Sequence, residues 1–173
     1  MRNILSFTVY LLSVLGILLF GCTPNAAQPT EGNLTTIATP QTDLSALARF
    51  VRLDSPPRSA QWFTEQMTPP SASPLGPTDW QLIALLEYDE ATLQQLRATW
   101  TPQTTPHELH VLPDFIRDWF PEVLRASFKV DSASGNFVWQ GERYLPSAFA
   151  KPPLTAGFVL VVDRYVLLVL HTV

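Results

Sequence analysis

The apolar segment at residues 157–173 constrains the fold of this chain more than any other stretch. Two runs rich in valine and leucine, 157–162 and 165–173, are separated only by Asp163 and Arg164. As one membrane helix, this segment would place two charges near the bilayer centre, at a cost of roughly 2.5–3.5 kcal/mol each. Valine also favours strands. We therefore predict a β-hairpin in the middle of a sheet.

A second strand is predicted at residues 80–88. Trp80, Leu82 and Ala84 fall on one face, and Ile83 and Leu85 make the other face apolar as well. An apolar pattern on both faces is typical of a central strand that is covered on two sides. Asp89 follows and is predicted to cap a helix over residues 90–98, because aspartate accepts hydrogen bonds from the free N–H groups of a first helical turn.

The remaining pattern predicts shorter elements joined by proline-rich loops. A short helix from residue 44 runs into a strand at 50–53, another strand covers 60–67, a helix begins at Pro113, and a hairpin joins 127–130 to 137–140. Loops are predicted at 68–79 and 141–156. The predicted fold class is α+β: an antiparallel sheet of about five or six strands with two or three helices on one face and a C-terminal β-hairpin.

The other end of the chain carries a membrane-targeting signal. Arg2 precedes an uncharged apolar run at residues 4–20, which ends in Leu19-Phe20-Gly21-Cys22. This arrangement resembles the lipobox of bacterial lipoproteins, in which a small residue directly precedes a lipid-bearing cysteine. The resemblance covers residues 1–22 only. It implies a signal peptide at 1–21, cleavage between Gly21 and Cys22, and attachment of fatty acyl chains such as palmitate to Cys22.

An uncleaved N-terminal membrane helix is the alternative, because the run lies at the lower end of the roughly 17–25 residues that span a bilayer. Cys22 is the only cysteine, which favours the lipoprotein, where that residue has a dedicated use. Two or more acyl chains attach a protein stably to a membrane. Thr23 is not the aspartate that retains many lipoproteins in an inner membrane. The resemblance therefore implies the outer membrane of a two-membrane cell, or the outer face of the plasma membrane otherwise.

Between this signal and the folded part, residues 22–43 are rich in threonine and proline, with isolated apolar side chains. Such a composition cannot offset the entropy of folding, so we predict a disordered tether. Residues 44–173 have the length of one globular domain. The formal net charge of −4 argues against a nucleic-acid partner, which normally requires a basic surface.

Few reactive or metal-binding side chains occur at the spacing of known catalytic motifs. The sequence contains no Gly-x-Ser-x-Gly elbow, no His-Glu-x-x-His pair and no phosphate-binding loop. His107, His110 and Asp114 are the candidates for a metal site. A solvated loop before a helix explains the same residues, so we expect neither metal nor cofactor. Of the three neighbouring acidic residues Glu87, Asp89 and Glu90, we predict that Asp89 caps the helix and that the carboxylates of the other two are exposed to solvent.

Tryptophan offers a different kind of site. Four of the five tryptophans lie on apolar stripes and are predicted to be core residues. Trp62, flanked by polar residues, is the candidate for an exposed contact surface. These features favour an envelope lipoprotein that binds a protein, peptide or glycan without catalysis. A small hydrolase or a metal-dependent enzyme of the envelope is the alternative.

Overall fold

The computed structural model describes residues 39–67, 79–104 and 108–173. The predicted signal peptide with Gly21 and Cys22, the tether up to residue 38, the loop at 68–78 and His107 lie outside the described residues. The predictions made for them therefore stay predictions.

An antiparallel five-stranded sheet forms the centre of the described part. Its strands lie in the order β1-β2-β8-β7-β6. Their bounds are Ser59–Gln66 for β1, Trp80–Glu87 for β2, Glu142–Tyr144 for β6, Ala156–Val162 for β7 and Tyr165–His171 for β8. The predicted α+β class is confirmed, and the C-terminal hairpin β7-β8 lies in the middle of the sheet as expected.

The hairpin depends on backbone conformations that most residues avoid. Asp163 adopts a positive φ of 53° in its turn, a conformation that aspartate tolerates better than most residues. Gly157 has a φ of 131° and lies opposite Leu170 in the register of β7 and β8. A Cβ atom at residue 157 would lie 1.9 Å from the carbonyl oxygen of Val169, so the two strands approach each other as closely as glycine permits.

Strand β2 is buried on both faces, as its sequence predicts. Leu82 and Leu86 belong to one hydrophobic cluster, and Ile83 and Leu85 to another on the opposite face. Because side chains alternate along a strand, one apolar run contributes to two cores. The two clusters occupy opposite faces of the five-stranded sheet.

Two helices cover the first face. Helix α1 (Leu44–Leu47) begins at Asp43, whose side chain accepts from the backbone N–H groups of Ser45 and Ala46. Helix α2 (Glu90–Arg97) begins at Asp89, as predicted. Leu47 and Leu93 are each buried in the first cluster, so each helix is fixed to the sheet by an apolar side chain.

A smaller sheet and a third helix cover the second face. Strands β3 (His110–Val111), β4 (Phe128–Val130) and β5 (Phe137–Trp139) form an antiparallel sheet in the order β3-β5-β4. Helix α3 spans Glu122–Ala126. The hairpin of β4 and β5 was predicted, but its membership in a separate sheet was not. Phe128, Trp139 and Leu124 pack against the large sheet in the second cluster.

Three local predictions are wrong. Residues 50–53 form a turn and bend instead of a strand, because Val51 is buried against the sheet and the N–H of Arg52 donates to the carbonyl of Phe149. The helix predicted at Pro113 is a three-residue 3-10 helix, Pro113–Phe115. The predicted loop 141–156 contains β6 and a 3-10 helix, Pro146–Ala148.

The contacts of the large sheet begin before residue 44. Gln41 and Trp62 exchange two backbone hydrogen bonds, of 2.7 and 2.9 Å. The indole N–H of Trp62 also donates to the carbonyl of Asp43. These contacts cover part of the outer edge of β1, so the last residues of the predicted tether take part in the sheet.

Candidate functional site

A groove of about 370 Å³ lies where β2 leads into helix α2. Strand β2 ends at Glu87, and the helix begins three residues later, so the chain turns away from the sheet and leaves a space beside the helix. The groove is lined by Arg58, Tyr88, Asp89, Glu90, Leu93, Gln94, Arg97, Asp163 and Arg164.

One face of helix α2 forms a wall of this groove. Glu90, Gln94 and Arg97 follow helical spacing and therefore lie on one side of the helix. Asp89 fixes the start of the helix: its carboxylate accepts from the backbone N–H and the hydroxyl of Thr92, at 2.8 and 2.9 Å. This wall is therefore positioned before any ligand binds.

The sheet positions the two arginines on the other side. The backbone N–H of Arg58 donates to the carbonyl of Glu87 (2.7 Å), and the N–H of Tyr88 donates to the carbonyl of Arg164 (3.0 Å). Arg58 precedes β1 and Arg164 precedes β8, the two neighbours of β2. The two arginines thus flank the end of β2, although more than 100 residues separate them in the sequence.

Arg97 is held by groups from β6. Its side chain forms an ion pair with Glu142 and donates to the hydroxyl of Tyr144 at 3.2 Å. That hydroxyl donates in turn to Glu142 at 2.8 Å. The hydrogen bond to Tyr144 and the charge of Glu142 raise the pKa of Arg97 above its ordinary value. This side chain is therefore a fixed cation.

Two further groups in the groove have shifted pKa values. The hydrogen bonds from Thr92, assisted by the nearby charge of Arg58, lower the pKa of Asp89 below its ordinary value. Burial and the charge of Asp54 raise the pKa of Tyr88, whose hydroxyl donates to the carbonyl of Ser55 at 3.3 Å. At neutral pH, Asp89 is thus ionised and Tyr88 is neutral.

A smaller groove of about 150 Å³ lies on the opposite face of the same sheet end. Glu87 lies at its edge, accepts from the hydroxyl of Ser59 at 2.9 Å, and has Arg164 3.9 Å away. The lining residues are Ser59, Gln61, Leu85, Glu87, Trp119, Pro121 and Tyr165. Because the ring of Trp119 contacts Phe63 and Phe120 edge to face, this tryptophan also contributes to the second hydrophobic cluster.

The described residues that the sequence indicated as candidate metal ligands do not line either groove. His110 is on β3, and its Nε2 lies 3.7 Å from an oxygen of Glu108. Asp114 is in the first turn of the 3-10 helix Pro113–Phe115. Among the residues that the structure describes, no group of three histidine, cysteine or acidic side chains could hold a metal ion. His107 is outside that part.

Trp62 is not a surface residue, so its nomination as an exposed contact residue is wrong. Only 2% of its surface is exposed, and its ring contacts that of Phe50 at 5.6 Å between centroids. The polar residue Gln61, directly before Trp62 in the sequence, indicated exposure. In a strand, however, successive side chains point to opposite faces, so a polar neighbour does not indicate which way Trp62 points.

The lipidation site Cys22 and the cleavage position at Gly21 lie outside the described residues. Among the helices that the structure describes, none is long and apolar enough to cross a membrane.

Sequence reasoning missed the arginines of the larger groove. Arg58, Arg97 and Arg164 come from three separate parts of the chain and share no spacing. The available signals were indirect: Asp89 as a helix cap and Asp163-Arg164 as a hairpin turn were both recognised. Only the pairing of β2 with β8 shows that this cap and this turn lie at the same end of the sheet.

Comparison of the chain with known protein families, with curated proteins and with solved structures found no match in any of the three.

Proposed function

We propose that this chain is a lipoprotein of the bacterial envelope, anchored through acylated Cys22, and that its folded part binds a small polar ligand in the groove beside α2. Binding without catalysis is the function that the geometry of the groove supports best. The anchor rests on the resemblance of residues 19–22 to a lipobox.

The observation that carries the binding role is the charge state of the groove. Asp89 is held ionised, Arg97 is held protonated and Tyr88 is held neutral, each by its own hydrogen bonds, neighbouring charge or burial. General acid–base catalysis favours groups whose pKa lies near the working pH. The pKa values of Asp89 and Arg97 are shifted away from neutral pH, as suits charges that orient a ligand, and Tyr88 stays neutral beside them.

The size and lining of the groove support a ligand of small-molecule dimensions. Ligand pockets commonly measure about 300–1,000 Å³, and this groove of about 370 Å³ lies near the lower limit. Charged and amide side chains form most of its walls. A sugar, an amino acid or a short polar peptide matches this lining better than an apolar ligand does.

An anchored binding protein also gains from its location. A lipid anchor and a tether confine the binding site to a thin layer beside the membrane, which raises its effective concentration toward other components of that layer. The modest affinity that a shallow polar groove provides is then sufficient for function.

A groove-blocking substitution with a matched neighbour tests the proposal. Gln94 lines the groove, whereas the adjacent exposed Gln95 does not. We expect Gln94→Trp to fill part of the groove and Gln95→Trp to leave it open. The unlipidated chain of residues 22–173, carrying Cys22→Ser, is titrated with glucose, glucuronate, glucose 6-phosphate, lysine and the dipeptide Ala-Ala, and backbone amide shifts are recorded by NMR.

The expected result is that at least one compound shifts the amides of residues 88–97 and 163–164 in the parent chain and in Gln95→Trp. Gln94→Trp should abolish the response. If no compound shifts these amides, or if the same shifts persist in Gln94→Trp, the groove is not a binding site and the proposal fails.

A further inference from the structure

The charged groups of the groove differ in how far the fold already satisfies them. Asp89 accepts two hydrogen bonds from Thr92. Arg97 is paired with Glu142 and Tyr144. Both groups already have hydrogen-bonding partners within the fold and shape the groove without requiring a ligand.

Arg164 is less well satisfied. Its guanidinium nitrogens lie 3.7 Å from Asp163 and 3.9 Å from Glu87, longer than the 2.7–3.2 Å of an N–H···O hydrogen bond. These pairs are on the surface, where ion pairs contribute little to stability. The side chain of Arg164 can therefore exchange its present contacts for a ligand at low cost.

Arg58 is the least satisfied cation of the groove. Its side chain is exposed, and within the part of the chain that the structure describes it forms neither a hydrogen bond nor an ion pair. Its charge nevertheless acts on the groove, since it lowers the pKa of Asp89. A guanidinium group offers five N–H donors in a planar fork, and none of those of Arg58 is bonded to another of the described residues.

We propose that the ligand of this groove carries an anionic group, a carboxylate or a phosphate, which Arg58 and Arg164 bind from the two sides of β2. This inference rests on the proposed function and specifies the ligand class of the same site. The planar fork of arginine matches both anions and can hold each with two parallel hydrogen bonds. The two arginines lie directly before β1 and β8, the strands on either side of β2, and each of these strands lies about 4.8 Å from β2.

The acidic side chains of the groove restrict the ligand further. Glu90 and Asp163 also line the walls, and Glu90 accepts a long hydrogen bond, of 3.4 Å, from Gln94. These carboxylates repel a ligand of high negative charge and accept hydrogen bonds from hydroxyl or amino groups. The groove therefore suits a compound with one anionic group and several donors, such as a sugar acid, a sugar phosphate or an amino acid.

Three matched sugars test the inference. Glucuronate carries a carboxylate, glucose 6-phosphate carries a phosphate, and glucose carries neither. Dissociation constants are measured by NMR titration for the parent chain of residues 22–173 with Cys22→Ser, for Arg58→Gln, and for the control Arg49→Gln. Arg49 is exposed and lies outside the groove. Because Arg58 is exposed, its replacement should leave the fold intact, and far-UV circular dichroism checks this.

We expect at least one of the two anionic sugars to bind ten times more tightly than glucose. Arg58→Gln should weaken that binding by about tenfold to a hundredfold, as the loss of a charge-assisted hydrogen bond implies, whereas Arg49→Gln should leave it unchanged. Preference for glucuronate or for glucose 6-phosphate identifies the anion. Similar affinity for all three sugars, or unchanged affinity in Arg58→Gln, overturns the inference.

The outcome also separates this inference from the proposed function. If glucose shifts the groove amides while the compounds that carry a carboxylate or a phosphate do not, the groove binds a ligand of another class, and only the anion inference fails. Lysine and Ala-Ala each carry a carboxylate, so loss of their response in Arg58→Gln supports the anion inference and an unchanged response overturns it. If none of the compounds shifts these amides, both the inference and the proposed function fail.

Discussion

Replacing Gly157 with alanine should destabilise the fold by about 2–5 kcal/mol. The φ of 131° lies in a region that costs a residue with a side chain about 1–3 kcal/mol. The added Cβ would lie 1.9 Å from the carbonyl oxygen of Val169, where real contacts stay above 3.0 Å. Strands β7 and β8 must then separate locally, with the loss of one or two ladder hydrogen bonds of about 1 kcal/mol each.

Urea unfolding of the unlipidated chain, followed by tryptophan fluorescence and far-UV circular dichroism, measures this effect. Gly135 provides the control, because it also has a positive φ, of 74°, but a Cβ there would meet nothing within 4 Å. Gly135→Ala should therefore cost only about 1 kcal/mol, the lower end of the cost of a left-handed backbone conformation. With a slope of about 2 kcal/mol per molar urea, the midpoint should fall by about 1–2.5 M for Gly157→Ala and by about 0.5 M for Gly135→Ala.

A result in which both variants lose the same free energy of unfolding would refute the reasoning. It would mean that β7 and β8 accommodate a side chain at residue 157 without separating. The register that places Gly157 opposite Leu170 would then be wrong.

Two further predictions concern the membrane anchor and the effect of acid. Cys22→Ser should abolish incorporation of labelled palmitate and leave the precursor uncleaved; equal labelling of variant and parent would exclude the lipoprotein assignment. The lowered pKa of Asp89 stabilises the fold above the ordinary carboxyl pKa of 3.8, and this contribution is lost as the pH falls through the lowered value. Asp89→Asn keeps a side chain that can cap a helix but lacks the charge. The free energy of unfolding of this variant should therefore fall less between pH 7 and pH 2 than that of the parent chain, as measured by urea titration at each pH. Equal falls in the variant and the parent would contradict this.

The parts of the fold that sequence predicted well are those where one short stretch carries its own evidence. Strand β2 shows its two buried faces in its own composition, and Asp89 lies directly before the helix that it caps. The C-terminal hairpin follows from two valine-rich runs with a charged turn between them. Each of these signals depends on neighbours in the sequence, so no long-range contact is needed to recognise it.

The second sheet and β6 could not be predicted with the same certainty. Strands of two or three residues, such as β3 and β6, are too short to show an alternating pattern. Strand β6 also ends beside Pro146, which favoured the interpretation as a loop. Its position at the edge of the large sheet depends on pairing with β7, a contact that no local pattern reveals.

The groove was less predictable still, because tertiary pairing alone assembles it. Arg58 and Arg164 become neighbours of the same strand end only when β1 and β8 pair with β2. Trp62 shows the opposite error: its polar neighbour Gln61 indicated a surface position, yet strand alternation and the contact with Gln41 bury it. In both cases the chemistry of the residue was visible and its location was not.

The order of strands in the large sheet has a consequence for how the chain acquires its structure during synthesis. Strand β8 lies between β2 and β7, yet it is the last of the described strands to leave the ribosome. Until then, the edge of β2 that pairs with β8 keeps its backbone N–H and C=O groups unpaired. Closing the sheet requires contacts such as that between Gln81 and His171, which are distant in sequence and slow to form. The nascent chain therefore lacks its complete central sheet until β8 has been synthesised, and a chain interrupted before residue 165 should be recognised by proteases as unfolded.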